Sequence, residues 1–234
     1  MPTAPREPAP DPVDCCVPPT DPRIARHFDH KMRERTAAGR LPPLHEVSAA
    51  LLAQLADVGE TAPSVLEIGC GSGALTMALL ERGAQRASGV DLSPGSIDAA
   101  RRRAAEAQLS DRTAFRVGDG ASVDLEAHDW VVLDRVICCY RDMSRLLANS
   151  IPAAQRRFAF SIPDSRGVFG LMNRIEELIE GVTNRLRGRP CPGYVHDLRL
   201  IEERLARAGF RPVLTTNAGR WYVGVFERAE SDAA

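Results

Sequence analysis

A short apolar segment that runs directly into a glycine-rich turn is the feature that most constrains how this chain can fold. The stretch Val65–Gly73 reads Val-Leu-Glu-Ile-Gly-Cys-Gly-Ser-Gly, and a helical pattern begins at Ala74. Glycines let the backbone bend tightly and let a ligand approach where no Cβ atom stands. The N–H groups at the start of the following helix favour a carboxylate or another anion nearby. This order of strand, turn and helix predicts an α/β fold with a ligand site at the turn.

The rest of the chain repeats this order of elements. From Ser64 onward, short apolar runs alternate with amphipathic helices, which is typical of a parallel sheet with helices on both faces. The last two runs are separated only by Asn217–Arg220, so we expect them to pair as an antiparallel hairpin. The predicted fold is a Rossmann-like, doubly wound, mostly parallel seven-stranded sheet that ends in this hairpin. The predicted strands are Val65–Ile68, Ala87–Val90, Thr113–Val117, Trp130–Val136, Arg157–Ile162, Arg211–Thr216 and Trp221–Glu227. The predicted helices are Pro22–Thr36, Leu44–Val58, Ala74–Arg82, Ser96–Gln108 with Ser96 as N-cap, Met143–Ser150, Gly167–Arg187 and Asp197–Ala208, with a short turn near Gly120–Glu126.

The domain organisation follows from length and composition. The 234 residues suffice for one α/β domain, and no shift in composition indicates a second. We expect a flexible proline-rich tail at residues 1–22 and one domain at 23–228. Its expected parts are N-terminal helices at 23–58, a ligand-binding core at 64–162, a lid-like helical insertion at 164–193, and a helix with the hairpin at 195–228.

Charge and hydropathy narrow the classes of partner. The formal net charge of −1 gives no electrostatic reason to expect nucleic acid or an anionic membrane as partner. No segment approaches the ~20 apolar residues of a membrane helix, and the N-terminus lacks the pattern of a secretory signal. We therefore expect a cytoplasmic protein whose six cysteines are reduced thiols. Their spacing does not match a zinc site, and no metal is expected.

Three kinds of ligand site use a glycine turn of this type. A phosphate-binding P-loop needs Lys and then Ser or Thr after its last glycine, whereas Gly73 is followed by Ala74 and Leu75. The dinucleotide pattern G-x-G-x-x-G/A is satisfied by Gly69, Gly71 and Ala74, so this interpretation stays open.

Glu67, two residues before Gly69, and a third glycine at Gly73 distinguish this turn further. The stretch resembles the first motif of class I S-adenosylmethionine-dependent methyltransferases, and the likeness covers residues 44–228. It implies that S-adenosyl-L-methionine is the cofactor. It also implies that Gly69, Cys70, Gly71 and Gly73 cradle the methionine end of that cofactor, while Glu67 helps to hold its amino group.

Acidic residues also end the next two predicted strands. Asp91 stands eighteen residues after Gly73, where a carboxylate can accept hydrogen bonds from both ribose hydroxyls. The resemblance implies the same role for Asp91, with Leu92 against the adenine. Asp119, beside Gly120, matches the acidic residue near the adenine amino group. Gly120 and, after the fourth strand, Arg135 complete the predicted cofactor-binding set.

The end of the fourth strand should face the transferable methyl group. The segment Cys138–Asp142 resembles a subgroup of small bacterial methyltransferases that carry Cys-Cys-Tyr-Pro-Asp, although Arg141 replaces the proline. We expect His196 to be a general base, since its pKa lies near working pH. A loop histidine or helix cap is the alternative. Tyr140 is a candidate to orient the acceptor through its hydroxyl, or else a packed aromatic.

The predicted function is methyl transfer from S-adenosylmethionine to a small-molecule acceptor, with an O, N, S or C nucleophile undetermined. A NAD(P)-dependent oxidoreductase and a non-catalytic cofactor-binding protein are the alternatives. The N-terminal helices, with Phe28, are placed to cover the cofactor pocket. The apolar face of Gly167–Arg187 suits a lid over the active site; contact within a homodimer or plain core packing would give the same pattern.

Overall fold

The computed structural model of the chain describes residues 22–57, 62–186 and 193–229, without the side chain of Arg185. The expected tail up to residue 21, Val58, Arg187, and the loop at 188–192 lie outside these residues. The helices are α1 (Pro22–Ala37), α2 (Glu46–Asp57), α3 (Ala74–Glu81), α4 (Pro94–Glu106), α5 (Met143–Ser150), α6 (Gly167–Leu186) and α7 (Leu198–Arg207). The strands are β1 (Ser64–Ile68), β2 (Arg86–Asp91), β3 (Thr113–Val117), β4 (His128–Asp134), β5 (Ala154–Pro163), β6 (Phe210–Ala218) and β7 (Trp221–Arg228). Short 3₁₀ turns occur at Ser110–Arg112, Ile137–Cys139 and Ile151–Ala153.

In the described part of the chain, seven strands form one sheet in the order β3-β2-β1-β4-β5-β7-β6. Strands β1 to β5 are parallel, whereas β7 pairs antiparallel with both β5 and β6. This confirms the predicted fold class, including the terminal hairpin. The strand order reverses at β1, whose neighbours are β2 and β4. Ligands of open α/β sheets bind in the crevice beyond the carboxyl ends of the strands at such a reversal.

Apolar side chains on both faces of the sheet hold the helices in place. Along β1, Leu66 and Ile68 point into one buried cluster, while Val65 points into the other. Alternate strand residues face opposite sides of a sheet, so a strand that is covered on both faces carries apolar residues toward both. The face of α2 predicted from its spacing, which carries Leu51 and Leu55, packs into the second cluster. Both faces of β1 are thereby covered, and its carboxyl end is the part left open.

Two predicted boundaries are wrong for local reasons. Helix α4 begins at Pro94 and its N-cap is Ser93, whose Oγ accepts from the N–H of Ser96 at 3.0 Å. Proline suits the first helical position because its missing N–H has no partner there, so Ser96 is not the cap. Strand β4 ends at Asp134 and not at Val136, because Arg135 adopts a left-handed φ of +52° that no strand continues.

The hairpin between β6 and β7 is tighter than predicted. Ala218 pairs directly with Trp221, so only Gly219 and Arg220 form the connection. Gly219 has a φ of +58°, which the two-residue turns of hairpins require and which glycine adopts without strain. None of the helices in the described ranges is both long enough and apolar enough to span a bilayer.

Candidate functional site

A cavity of about 270 Å³ opens at the carboxyl ends of β1, β2 and β4. Its floor is the glycine turn after β1, and its sides come from the ends of β2, β3 and β4. Helix α1 lies across the opening. The predicted cofactor residues that line it are Gly69, Gly71, Asp91, Leu92, Gly120, Arg135 and the candidate acceptor residue Tyr140.

The glycine turn is shaped by two different requirements. Gly69 has a φ of +75°, and a Cβ atom there would stand 2.5 Å from a methyl group of Val136. At Gly71, by contrast, a Cβ atom would meet nothing within 4 Å. The open space at Gly71 faces the cavity, so the backbone there is accessible to a ligand. Gly73 does not line the cavity; it caps α3 and packs against Ala100.

Asp91 connects the end of β2 to the glycine turn. One carboxylate oxygen accepts from the N–H of Gly71 and the other from the N–H of Ser93, both at 2.9 Å. Burial raises the pKa of Asp91, and these two backbone hydrogen bonds oppose the rise. Each oxygen keeps a lone pair for a further donor. The side chain is thus fixed in orientation and lines the cavity.

Asp119 follows β3 and is fixed in a similar way. Its Oδ1 accepts from the N–H of Ala121 at 2.9 Å and from the hydroxyl of Tyr140 at 2.8 Å. Gly118 and Gly120, on either side of it, line the cavity. The Tyr140 hydroxyl is therefore committed to Asp119. This contact favours the packed-aromatic alternative over the expected role in orienting an acceptor.

Glu67 and Cys70 lie behind the turn and are not part of the cavity lining. Glu67 is buried and accepts a hydrogen bond from the hydroxyl of Thr76. Burial raises the pKa of Glu67 to about 8, and the nearby charges of Asp134 and Asp91 add to the rise. Burial also raises the pKa of the Cys70 thiol.

Asp134, at the end of β4, is a site residue that the sequence interpretation missed. It lines the cavity although only 8 % of it is exposed, and it accepts hydrogen bonds from Ser48 Oγ at 2.5 Å and Ser161 Oγ at 2.6 Å. The sequence could have indicated this role, because Asp134 is a further acidic residue at the end of a parallel strand. Arg135 Nε lies 3.4 Å from the Asp134 carboxylate.

Helix α1 supplies the roof of the cavity. Phe28, Lys31 and Arg35 from this helix line it, together with neighbouring apolar residues. The helix is anchored through Asp29, whose Oδ1 accepts from the N–H of Gly95 at 2.6 Å and from Ser93 Oγ at 3.2 Å. Asp29 therefore binds the N-terminus of α4, where unpaired N–H groups favour a negative charge.

A second cavity, of about 450 Å³, adjoins the first and shares Phe28 and Lys31 with it. Its walls include Cys138, Trp221 and the acidic side chains of α6 (Glu176, Glu177 and Glu180). The adjacent cysteines separate the two spaces, since Cys138 lines this cavity and Cys139 lines the first. Within the described ranges, no three histidine, cysteine or acidic side chains gather as a metal site would require.

His196 lies beside this region but lines neither cavity. Its Nε2 is 2.8 Å from the carbonyl oxygen of Tyr140. Because a carbonyl only accepts, Nε2 carries a proton and donates it there. Burial lowers the pKa of His196, which keeps the ring neutral. The placement favours the loop-histidine alternative over the expected general base.

Comparisons with known proteins agree with this geometry. Residues 65–159 match the family model described as a methyltransferase domain. A ribosomal protein L11 methyltransferase of Shewanella sp. (strain W3-18-1) is 30% identical over 107 residues, which cover 46% of this chain and 36% of that protein. The chain thus matches about a third of the length of this curated relative.

Solved structures share the fold over most of the chain. Magnesium protoporphyrin IX methyltransferase from Synechocystis PCC 6803, with bound S-adenosylhomocysteine, aligns with a TM-score of 0.69 at 19% identity. The alignment covers 88% of this chain and 98% of that one. Geranyl diphosphate C-methyltransferase from Streptomyces coelicolor A3(2) aligns with a TM-score of 0.62 at 14% identity, covering 91% and 100%. The likeness of Cys138–Asp142 to one bacterial subgroup stays a prediction. Residues 65–159 thus resemble a methyltransferase domain, and the order of the strands in the sheet is that of the fold which these solved methyltransferases share.

Proposed function

We propose that this protein transfers the methyl group of S-adenosylmethionine to a small-molecule acceptor. The observation that carries the proposal is a group of carboxylates around the glycine turn. Glu67, Asp91 and Asp134 are close enough that the two aspartates, together with burial, raise the pKa of Glu67. The two aspartates that line the cavity, Asp91 and Asp134, attract the sulfonium and ammonium charges of this cofactor. They oppose the pyrophosphate of a nicotinamide dinucleotide, so the oxidoreductase alternative is not favoured.

The first cavity fits the parts of the cofactor in order. The accessible backbone at Gly71 suits the methionine part, and the remaining lone pairs of Asp91 suit the ribose hydroxyls. The second oxygen of Asp119 is available for the adenine amino group, because Ala121 and Tyr140 both donate to Oδ1. Lys31 and Arg35 on α1 supply positive charge for the methionine carboxylate. Two structural relatives hold S-adenosylhomocysteine.

The second cavity is the proposed acceptor site. Its volume of about 450 Å³ lies in the usual range for small-molecule pockets. It adjoins the first cavity at Phe28 and Lys31, so a bound acceptor and cofactor would meet beneath α1. The Synechocystis and Streptomyces relatives are named for small-molecule substrates. The L11 methyltransferase is named for a protein substrate, but this chain covers only 36% of it.

The chemistry asks little of the protein beyond alignment. Bound S-adenosylmethionine would supply a methyl group activated by its sulfonium; the acceptor nucleophile would attack the methyl carbon in line with the breaking S–CH₃ bond, and S-adenosylhomocysteine would leave. Asp91 and the glycine turn fix the cofactor, α1 excludes water, and Phe28 and Trp221 bound the space for the acceptor. Orientation of two bound molecules is itself a large contribution to rate.

Cofactor binding tests the proposal directly. We expect S-adenosylhomocysteine, titrated calorimetrically, to bind the full chain and NADH not to bind. Asp91→Ala removes a charged acceptor of ribose hydrogen bonds, each worth about 1.5–3 kcal/mol, so affinity should fall about 10- to 100-fold. Asp98→Ala, an exposed carboxylate on α4, is the matched control and should bind as the wild type does. Binding of NADH alone would contradict the proposal.

Turnover tests the catalytic half of the proposal. The protein is incubated with labelled S-adenosylmethionine and a panel of small phenols, amines and thiols, and transfer of label is measured. We expect transfer to at least one class, and loss of that transfer in Asp91→Ala at low cofactor concentration. Two outcomes would contradict a small-molecule acceptor. One is cofactor binding with no transfer to any compound of the panel, and the other is transfer to ribosomal protein alone.

A further inference from the structure

Helix α6 exposes an unusual amount of apolar surface. Nine of its large apolar side chains are between 43 and 82 % exposed. Five of them follow a spacing of three and four residues along one side of the helix, and four lie beside that line. The apolar stripe of α6 consists of Val168, Leu171, Ile175, Leu178 and Val182, flanked by Phe169, Met172, Ile179 and Leu186.

The opposite side of α6 is the side that is attached to the protein. Gly170 packs so closely on the backbone of Ser165 that a Cβ atom would stand 2.2 Å from its carbonyl oxygen. The buried amide of Asn173 donates to the carbonyls of Asp164 and Arg220, at 2.9 and 3.0 Å. These contacts fix the rotation of the helix. The stripe therefore faces away from the body, and core packing does not explain it.

The size of the stripe indicates a stable interface. With roughly 150–200 Å² for each fully exposed large apolar residue, the stripe and its four flanking residues together present about 800–1,000 Å². The largest apolar patch on a typical monomer is about 300–600 Å², whereas a stable complex buries about 800 Å² on each partner. The stripe together with its flanking residues is therefore about as large as one side of a stable dimer interface.

We infer that the apolar stripe binds the same stripe of a second copy of this chain, so that two α6 helices pack against each other around a twofold axis. The spacing of three and four residues is the pattern by which helices pack side by side. In a twofold dimer one surface must complement itself, and a single continuous stripe does so. The inference does not depend on the proposed methyl transfer.

Charge argues against a lipid surface as the occupant. Helix α6 carries Glu176, Glu177 and Glu180 against Arg174 and Arg185 in its sequence. Helices that lie on anionic membranes are instead rich in basic residues beside their apolar face. The acidic residues also line the second cavity, so a dimer contact would hold α6 in place as one wall of that cavity.

The mass of the full chain in solution tests the inference. By light scattering after gel filtration, we expect the wild type at about twice the 25.5 kDa chain mass. Ile175→Glu with Leu178→Glu puts two charges into the stripe of each copy and should give monomers. Leu200→Glu, an equally apolar and 47 % exposed position on α7, should leave the dimer intact. Circular dichroism checks that each variant is folded.

A second variant keeps the test informative if the double substitution unfolds. Ile175→Cys, at the centre of the stripe, should form a disulfide between chains under mild oxidation above the level of the wild type, and Leu200→Cys should not. A monomeric wild type at about 100 µM, well above dimer affinities of standard interfaces, would overturn the inference. So would a folded Ile175→Glu, Leu178→Glu protein that stays dimeric.

Discussion

At the scale of single residues, a line of hydrogen bonds joins His196 to the cofactor cavity. His196 Nε2 donates to the carbonyl of Tyr140, and the Tyr140 hydroxyl donates to Asp119. Asp119 stands at the proposed adenine end of the cavity. The hydrogen bond from His196 fixes the backbone at Tyr140 and so helps to position the hydroxyl that donates to Asp119. We therefore predict that His196 affects cofactor binding, whereas a general base would affect the proton of the acceptor.

The two roles predict opposite results for His196→Ala. A positioning role predicts that affinity for S-adenosylhomocysteine falls about fivefold, because one hydrogen bond is worth about 1 kcal/mol. His196→Gln should restore affinity, since its amide can donate to the same carbonyl. A base role predicts unchanged affinity with turnover lowered about 10²–10⁴-fold. Calorimetry and a pH–rate profile of both variants decide between them.

At the scale of elements, α1 is held over the site by one carboxylate. Burial acts to raise the pKa of Asp29, but hydrogen bonds from Arg33 and from the N–H of Gly95 outweigh it, and the pKa is lowered. Asp29 therefore stays ionised at neutral pH and caps α4 from another helix. The hydrogen bonds of Asp29 thus attach α1, which covers the first cavity, to the N-terminus of α4.

Asp29→Ala should loosen the roof without unfolding the domain. Removing a capping carboxylate costs about 1 kcal/mol of helix stability, and the cavity would lose its cover from Phe28 and Lys31. We expect affinity for S-adenosylhomocysteine to fall at least threefold and α1 to become more accessible to protease. Glu34→Ala, an exposed carboxylate on the same helix, is the control and should change neither. Equal affinities of the two variants would contradict a roof held by Asp29.

The elements that the sequence predicted well are those whose signal is local. The glycine turn, Asp91 and Leu92 were located because a turn between an apolar strand and a helix has its own residue pattern. The carboxyl end of β4 and the start of α4 were misplaced because the backbone angles at Arg135 and the capping preference of Ser93 override apolar periodicity.

The remaining site residues depend on contacts distant in the chain. The sequence placed α1 near the pocket, but only the fold shows that Lys31 and Arg35 line it. Asp134 became visible through its hydrogen bonds to Ser48 and Ser161, which come from α2 and β5. The Tyr140 hydroxyl was assigned to an acceptor because no local pattern reveals its bond to Asp119. Local sequence patterns predicted the glycine turn at the base of the cavity, whereas the residues that cover and flank the cavity became known only from the tertiary structure.

At the scale of the whole molecule, the fold places both proposed ligand sites at one edge of the sheet. The first cavity lies over β1, β2 and β4, and the second reaches to Trp221 of β7. Helix α1 contributes to both, while α6 contributes to the second and carries the proposed dimer contact. A partner copy would therefore stabilise a wall of the acceptor cavity while the cofactor cavity stays within one chain.

The buried Glu67 should make the stability of the whole protein depend on pH. Its folded pKa of about 8 exceeds the ordinary value of 4.5 that the unfolded chain would show. Between these values the unfolded state loses the proton that the native state keeps, so stability falls as pH rises, by up to ~1.4 kcal/mol per pH unit. Below 4.5 the effect is absent, and above 8 it is constant.

Glu67→Gln should remove this dependence, because the amide oxygen can still accept from Thr76 but no proton is exchanged. Urea unfolding of both proteins at pH 5, 6.5 and 8 measures it. The free energy of unfolding of the variant should rise relative to that of the wild type as pH increases from 5 to 8. Only in the wild type does the unfolded state gain stability by releasing the proton of Glu67. Glu106→Gln, an exposed position on α4, should run parallel to the wild type. Parallel curves for Glu67→Gln as well would mean that this carboxyl is already ionised behind the glycine turn. In that case Glu67 would be negatively charged before the cofactor binds, and binding of the cationic cofactor would not be what ionises it.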